Sequence, residues 1–368
     1  MKSRRPVVLG MRAISAILCA MLLIVSSTPG TTATAAEPTI GYDVVDLGTL
    51  GGNATFALDI NDRGAVTGNS RTGATTLPLI AFRWKSGEMI SLGVLPGSNA
   101  FSRGYAINNA GVIVGESDNN VPRAFRWKAG VLEDLGTLGG ASAVAHGINN
   151  RGLIVGASSN GVAVRPFVWR RGVMRDLGTI EGSASTPGRA WDVNDRGDIV
   201  GNSRVTGSLT QATLWPGPNR HRLGTPVNLG SLGDGRQFSE ALAVSNCLWV
   251  VGRSTVTGST ERAFRWTPDE GMLELGSLGF AHSRATDVND RGEIVGYASR
   301  FAGFPTLGGA AFLWRGDQMW NLNDLIDPAS GWELLAAEGI NNRGMIVGYG
   351  RLRGEIRSFL LVPRGRSW

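Results

Sequence analysis

The sequence predicts an all-β protein, a seven-bladed β-propeller with four-stranded blades. The pattern Ile/Val-Asn-x-x-Gly-x-Ile-Val-Gly recurs seven times, with small departures, at spacings of 41 to 52 residues, and such a period is typical of propellers and other repeat arrays. Apolar runs of four to seven residues alternate with glycine-rich breaks, which favours strands over helices. The seven copies begin at Ile60, Ile107, Ile148, Val193, Val244, Val288 and Ile340.

The Asn-x-x-Gly element predicts a tight hairpin turn. Residues 61–64 fit a type I turn followed by a glycine at positive φ. The Asn side chain can bond the turn backbone, and Gly adopts the left-handed conformation without a steric penalty. In the fifth copy Ser245 and Leu248 replace Asn and Gly, so we expect a different turn there.

Each unit contains four predicted strands. Strand A ends at the Asn, strand B is the Ile-Val-Gly segment, strand C is a Phe-x-Trp segment, and strand D is an Asp-Leu-Gly segment. Residues two apart point to the same face of a strand, so the Phe and Trp of strand C are expected to pack between neighbouring blades. The first copy of strand D, at Asp46, precedes the first strand A, and the last strand C has no strand D after it.

This arrangement predicts that the ring is closed by the N-terminal strand. Residues 42–47 are expected to pair with residues 357–362 and to complete the seventh blade. The closed ring would then lack the exposed sheet edges that an open array presents. A linear solenoid is the alternative, although neither end carries a polar capping repeat.

The N-terminal 36 residues are expected to be a signal peptide. A basic start precedes an apolar run of 13 residues. Small residues suited to a signal peptidase follow, so cleavage is expected after Ala35 or Ala36. Residues 37–368 form the predicted propeller. Cleavage removes four basic residues and no acidic one, leaving a net charge of +2, so charge gives no support for nucleic-acid binding. We therefore expect an extracellular, monomeric protein with no membrane span after cleavage.

The repeated blocks resemble the HAF-repeat family of bacterial extracellular proteins. Three blocks carry the resemblance in fixed order, at residues 46–52, 57–68 and 81–84, with later copies over the rest of the mature chain. The His-Ala-Phe tripeptide in the family's name reads Ile80-Ala81-Phe82 in the first copy. The resemblance implies export and repeats, and it implies no established catalytic activity.

Loop lengths predict which rim of the propeller carries function. The A–B and C–D turns are short and uniform, and hairpin alternation puts both on one rim. The D–A and B–C loops on the opposite rim vary in length and composition. Variable loops on a rigid scaffold are common recognition sites, while neutral drift of the loops is the alternative explanation.

No catalytic, cofactor or metal constellation is predicted. The three histidines of the mature chain, His146, His221 and His282, lack metal-ligand spacing and are expected to be ordinary surface or loop residues. Three calcium-like segments lack the required oxygen ligands, and a hairpin turn explains them better. Asp59, Asp192 and Asp287 lie on A strands beside the channel, where they could attract a cation, although solvation by channel water is the favoured expectation.

The leading hypothesis is therefore an exported, non-enzymatic binding module with an unknown extracellular ligand, such as a glycan or a protein. A secreted polysaccharide hydrolase or lyase is one alternative, because propellers can hold carboxylate pairs across their channels. A structural protein of the cell surface or matrix is another.

Overall fold

The computed structural model describes residues 41–73, 78–98, 101–118, 120–207, 209–217, 224–233 and 237–365. All of them belong to one compact unit, which spans Ile40–Trp368. The predicted signal peptide and its cleavage site lie outside the described residues. No helix in the described part of the chain is long and apolar enough to cross a membrane.

The described chain is all-β, with three short 3-10 turns at Pro305–Leu307, Leu322–Leu325 and Pro328–Ser330. Its first fourteen strands are β1 (Tyr42–Asp46), β2 (Thr55–Ile60), β3 (Val66–Arg71), β4 (Leu79–Lys85), β5 (Glu88–Gly93), β6 (Phe101–Ile107), β7 (Ile113–Asp118), β8 (Pro122–Lys128), β9 (Val131–Asp134), β10 (Ala143–Ile148), β11 (Ile154–Ser159), β12 (Val164–Arg170), β13 (Val173–Asp176) and β14 (Gly188–Val193). The others are β15 (Ile199–Thr206), β16 (Leu209–Trp215), β17 (Val227–Gly230), β18 (Ser239–Val244), β19 (Val250–Thr257), β20 (Thr260–Thr267), β21 (Gly271–Gly276), β22 (His282–Val288), β23 (Ile294–Ser299), β24 (Gly309–Arg315), β25 (Gln318–Asn321), β26 (Trp332–Ile340), β27 (Ile346–Leu352) and β28 (Glu355–Pro363).

These strands form antiparallel four-stranded units in the predicted A-B-C-D order. Four sheets have consecutive strands, as in β10-β11-β12-β13, and a fifth has the order β1-β28-β27-β26. The remaining sheet has eight strands, in which β2 to β5 and β6 to β9 are joined by one parallel pairing between Leu79 and Phe101. The prediction of an all-β fold with four-stranded antiparallel sheets is confirmed.

The two ends of the described chain meet in one sheet. Strand β1 pairs antiparallel with β28, from Tyr42 opposite Pro363 to Asp46 opposite Phe359. The Leu47 N–H continues this ladder by donating to the Ser358 carbonyl at 3.1 Å. The predicted pairing of residues 42–47 with residues 357–362 is therefore present. It gives the C-terminal sheet the same four strands as the other units.

The Asn-x-x-Gly turns have the predicted geometry. In the first copy the Gly64 N–H donates to the Asn61 carbonyl at 3.0 Å, and Gly64 has a φ of 74°. The Asn61 side-chain oxygen accepts from the N–H groups of Arg63 and Ala65. The side chain thus satisfies turn donors that would otherwise lie buried without partners.

The prediction of a different turn in the fifth copy is wrong. The Leu248 N–H donates to the Ser245 carbonyl at 3.0 Å, and Leu248 takes the glycine-like φ of 64°. Ser245 Oγ accepts from the Trp249 N–H at 3.2 Å, so a hydroxyl provides part of the missing amide function. Packing of Leu248 against a buried cluster that includes Phe264 favours this arrangement and offsets the cost of its left-handed backbone.

The glycine that closes each repeat lies where strand B crosses strand A most closely. In the third unit a Cβ on Gly156 would overlap the carbonyl oxygen of Val144, and the other six closing glycines meet the equivalent carbonyl. Strand A is bulged at this point, because Ala145 pairs with Gly156 and Gly147 pairs with Val155. A bulge therefore inserts one unpaired residue at this point of each A strand, and β26 has a second bulge between Leu334 and Ala336.

The core lies between neighbouring sheets, as the Phe-x-Trp pattern predicts. Phe167 is fully buried and Trp169 is 3% exposed, and both pack against Val112 and Val114 of the preceding unit. In the fourth unit, Trp215 is fully buried and donates from Nε1 to the Gly178 carbonyl at 3.0 Å. Neighbouring sheets are therefore held together by large apolar contacts, with little room for voids.

Candidate functional site

The A–B turns are connected by a continuous series of hydrogen bonds. The second turn residue in every copy is Asn or Asp, and its backbone N–H donates to Oδ1 of the equivalent residue in the next copy, at 2.7–2.9 Å. The last of these bonds, from the Asn342 N–H, returns to Asp62 at 2.9 Å. The series consists of Asp62, Asn109, Asn150, Asp195, Asn246, Asp290 and Asn342.

A second series runs through the first turn residues. Each Asn side chain donates from Nδ2 to the backbone carbonyl of the equivalent residue in the next copy, at 2.8–3.1 Å. Asn341 completes this series by donating to the Asn61 carbonyl. Ser245 has no side-chain amide, so this hydrogen bond is missing between the fifth copy and Asn289 of the sixth.

Residues from all seven turns line a cavity of about 160 Å³. Asp59 and Asp287 also line it, from the A strands. Each of these carboxylates joins two units: Asp59 accepts from the N–H groups of Ile60 and Ile107, and Asp287 accepts from Val288 and Ile340. Their first role is therefore to satisfy backbone donors of adjacent A strands.

Asp192 occupies the same A-strand position, and burial dominates the ionisation of all three carboxyls. Burial raises the pKa of Asp59 to about 7, although the N–H groups of Ile107 and Ile60 favour its charged form. Burial raises the pKa of Asp192 to about 6. The pKa of Asp287 also lies well above its ordinary value, because of burial and then the negative charge of Asp59.

Solvation of these three aspartates by channel water stays a prediction. Their side chains keep only partial exposure, and backbone N–H groups occupy their oxygens. Among the described residues no group of three His, Cys, Asp or Glu side chains has the arrangement of a metal site. The calcium-like segments instead form turns, as where Asn194 Oδ1 accepts from the Arg196 and Asp198 N–H groups.

The bulge within each A strand carries a different set of side chains. The bulged residue varies from copy to copy within an otherwise uniform motif: it is Leu58, Tyr105, His146, Trp191, Leu242, Thr286 or Glu338. Three consecutive copies bring aromatic rings together, since His146 lies 5.5 Å from Tyr105 and 4.2 Å from Trp191 between ring centroids.

The expectation that the histidines are surface or loop residues is wrong for His146. It lies inside β10, is 8% exposed, and donates from Nδ1 to the Ala190 carbonyl at 3.0 Å. Burial lowers its pKa to about 4, so the ring is neutral at pH 7. His282 is the first residue of β22 and accepts from the Glu261 N–H, while His221 lies outside the described residues.

A second polar cluster occupies the last three units. Burial raises the pKa of Glu338 to about 7, against the opposing effects of the Arg284 charge and a hydrogen bond from Tyr349. Arg284 is paired across the sheet with Tyr297 and lies close enough to Glu240 to feel its charge. Glu240 is 4% exposed and forms a 3.0 Å ion pair with Arg253. Buried acids, tyrosines and an arginine are thus close together here.

A pocket of about 500 Å³ opens on the D–A and B–C loop side of the fourth unit. It is lined by the loop preceding β12, the loop before β14, and the ends of β15 and β16. The polar lining residues are Ser185, Arg189, Asn202, Arg204 and Thr210, and the apolar ones include Pro187 and Phe238. We call this the rim pocket.

One wall of the rim pocket is held in place by a buried arginine. Arg165 is 3% exposed and forms a 2.8 Å ion pair with Asp176. Its Nη1 also donates to the carbonyls of Ser183 and Thr186, in the loop that forms the wall. A wall fixed before a ligand arrives lowers the entropic cost of binding.

Sequence reasoning placed recognition on the D–A and B–C loop side, which stays a prediction, and it singled out none of these residues. One signal was present in the sequence: the bulged A-strand position varies among the seven copies, although Ala or Gly precedes it in every copy. Two residues earlier, a second variable position holds Arg103, Arg189, Glu240 and Arg284. Alignment of the seven copies column by column would have singled out both positions.

Comparison with known proteins identifies the fold class. No family model matches the chain, and no curated protein matches it either. The β-propeller domain of the Trilobed protease from Pyrococcus furiosus, described as having an open velcro topology, is similar to it with a TM-score of 0.51. The identity is 10% over 85% of this chain and 94% of that one.

A structure of YCF48 bound to D1 peptide has a TM-score of 0.50 and 11% identity, over 89% of this chain and 97% of the other. TolB from Acinetobacter baumannii has a TM-score of 0.47 and 12% identity over 83% of this chain. The match spans 64% of the TolB chain, less than two thirds of its length. At these identities the similarity concerns the fold alone: this chain has an all-β fold of four-stranded antiparallel sheets, with β-propellers as structural neighbours.

Proposed function

We propose that the described chain is a closed propeller of seven blades that binds an extracellular ligand on its D–A and B–C loop side. Closure is supported by the pairing of β1 with β28 and by the hydrogen bonds from Asn341 and Asn342 back to Asn61 and Asp62. A linear solenoid would leave these groups to water at its two ends.

The observation that carries the binding function is the rim pocket. Its volume of about 500 Å³ falls within the range of small-molecule sites, roughly 300–1,000 Å³. Its walls come from the loops that vary most among the repeats, and its lining combines apolar surface with several polar side chains. A rigid scaffold with a preformed pocket between variable loops supports recognition more strongly than neutral drift.

Export is the second part of the proposal. The N-terminal signal pattern and the resemblance to HAF-repeat proteins support an extracellular location. Expression of the full chain in a bacterial host, followed by N-terminal sequencing of the culture supernatant, tests it. Mature protein beginning at Ala36 or Glu37 supports export, whereas full-length protein retained in the cell contradicts it.

Ligand binding is tested by screening the mature protein against glycan and peptide arrays. A matched variant replaces residues 160–163 of the B–C loop, which precede β12, with a Gly/Ser loop of equal length, and a control variant replaces Arg171, in the exposed C–D turn, with Ser. Binding that is lost in the first variant and kept in the second supports the proposal. Binding that survives the loop replacement contradicts the choice of rim.

A secreted polysaccharide hydrolase or lyase is the second candidate, and the Glu338 cluster favours it. A buried carboxyl with a pKa near 7 can act as a general acid or base at neutral pH, and Tyr349 and Arg284 lie beside it. Incubation of the mature protein and its Glu338→Gln variant with a polysaccharide panel tests this candidate. Release of reducing or unsaturated ends by the wild type alone would establish it.

A further inference from the structure

We propose that the rim pocket recognises a saccharide that carries a carboxylate, with Arg189 and Arg204 as the groups that bind the anion. This inference rests on the proposed binding function and adds the chemical class of the ligand. It follows from three features of the pocket. These are a positive charge without an acidic partner among the described residues, polar groups that can hydrogen-bond sugar hydroxyls, and an apolar wall.

The first feature is the charge of Arg189. Three other A strands also hold a charged residue at this position. Arg103 is paired with Glu116 at 3.5 Å, Glu240 with Arg253 at 3.0 Å, and Arg284 has Tyr297 as its cross-strand neighbour.

Arg189 instead lies opposite Asn202. Asn202 is uncharged, so it offers no negative charge to Arg189. Its amide donates to Glu240 at 2.8 Å. In the described part of the chain, no carboxylate lies within ion-pair distance of Arg189, which is exposed at the pocket.

Arg204 contributes a second cation with an unused donor. Its Nε is buried and has no hydrogen-bond partner among the described residues. None of the described lining residues is acidic. Two guanidinium groups in one acid-free pocket match an anion, and a planar carboxylate is the anion that fits a guanidinium fork with two parallel hydrogen bonds.

The rest of the lining favours a saccharide over an acidic peptide. Ser185, Thr210 and the Asn202 side-chain oxygen can each exchange hydrogen bonds with vicinal hydroxyl groups. Pro187 and Phe238 provide an apolar surface for the C–H face of a sugar ring. An extended peptide typically adds to an exposed strand edge, whereas Asn202 and Arg204 lie on β15, which is paired on both sides by β14 and β16.

The test is a titration by calorimetry of the mature protein with methyl glucuronide and with methyl glucoside, which differ only in the carboxylate. The variants are Arg189→Gln and Arg204→Gln, and the matched control is Arg103→Gln, at the same A-strand position two units away. We expect the glucuronide to bind about 10- to 100-fold more tightly than the glucoside, because a hydrogen bond to a charged group contributes about 1.5–3 kcal/mol. Either pocket variant should remove that difference, and the control should retain it.

Each outcome bears on the inference or on the binding function. Equal affinity for both glycosides, or a glucuronide affinity unchanged in Arg189→Gln, overturns the carboxylate assignment and leaves the binding module standing. Binding of a glutamate-rich peptide but of neither glycoside overturns the saccharide assignment. If no array ligand depends on the pocket loops and neither glycoside binds, both proposals fall. Thermal unfolding of each variant confirms that it is folded.

Discussion

The Asn342 N–H donates to Asp62 Oδ1 at 2.9 Å, although 280 positions separate the two residues in the sequence. The same bond joins each of the other six turns to the next one. A local turn residue is therefore also a long-range connector. The hydrogen bond that stabilises one hairpin unit against its neighbour is repeated wherever the sequence repeats.

The N-terminal strand β1 should contribute to stability as much as the fourth strand of another unit does. Leu47 is 3% exposed and packs with Leu360, Val362 and Ile60, so Leu47→Ala should lower the free energy of unfolding by about 3 kcal/mol. Urea unfolding followed by tryptophan fluorescence measures the change. Leu135→Ala, at the equivalent position after β9 of the second unit, is the matched control and should have a similar effect. A loss below about 1 kcal/mol for Leu47→Ala alone would favour an open array.

Restoring the missing amide of the second hydrogen-bond series should stabilise the protein. In Ser245→Asn the new side chain can donate to the Asn289 carbonyl, as the other six asparagines do in their copies, and we expect a gain of about 1 kcal/mol. The reciprocal change, Asn149→Ser, should cost at least as much, because it removes the bond to Asn194 and weakens two turn bonds. Denaturation curves of the two variants measure the change in the free energy of unfolding. A change of the same sign in both would contradict the role given to the second hydrogen-bond series.

Any side chain at a closing glycine should be strongly destabilising. Gly156→Ala would place a methyl group against the Val144 carbonyl and the Phe167 ring, and overpacking of this kind costs about 1–3 kcal/mol. Gly172→Ala, in an exposed C–D turn with open space around it, is the control for loss of glycine flexibility. Its positive φ of 86° adds a strain of about 1 kcal/mol, so an equal loss in both variants would argue against the overlap.

The three buried aspartates should make the protein less stable as pH rises from about 4 to 7. Their folded-state pKa values lie above the ordinary value of 3.8, to about 7 for Asp59 and about 6 for Asp192. The folded state thus keeps protons that the unfolded chain releases. Their contribution is complete below pH 3.8 and is lost as pH rises through the folded-state values, at up to about 1.4 kcal/mol per pH unit for each carboxyl.

Unfolding curves at a series of pH values measure this slope, and Asp59→Asn should reduce it between pH 4 and 7. His146 acts in the opposite sense, because its pKa is lowered to about 4 and its contribution is lost as pH falls from 6.5 toward that value. The His146→Gln variant separates the two effects. A stability that rises with pH from 4 to 7 in that variant would contradict the aspartate assignment.

Sequence periodicity was sufficient to predict the all-β fold and its four-stranded antiparallel sheets, because strand, turn and core signals recur together. The Asn61 turn, the Phe167–Trp169 pair and the pairing of β1 with β28 were all predicted from local residue types and from the order of the strands. The turn at Ser245 was predicted wrongly, since tertiary packing of Leu248 overrides the local preference for glycine.

Residue types alone therefore determined that this chain forms short strands joined by tight turns in repeated units. Only the tertiary structure decided what those units enclose. His146 and Trp191 are 45 positions apart and become neighbours because consecutive A strands lie side by side. Among the described residues, Arg189 has no acidic partner, since its cross-strand position holds Asn202. Repetition constrains the backbone, whereas charge and burial depend on which variable residues the backbone brings together.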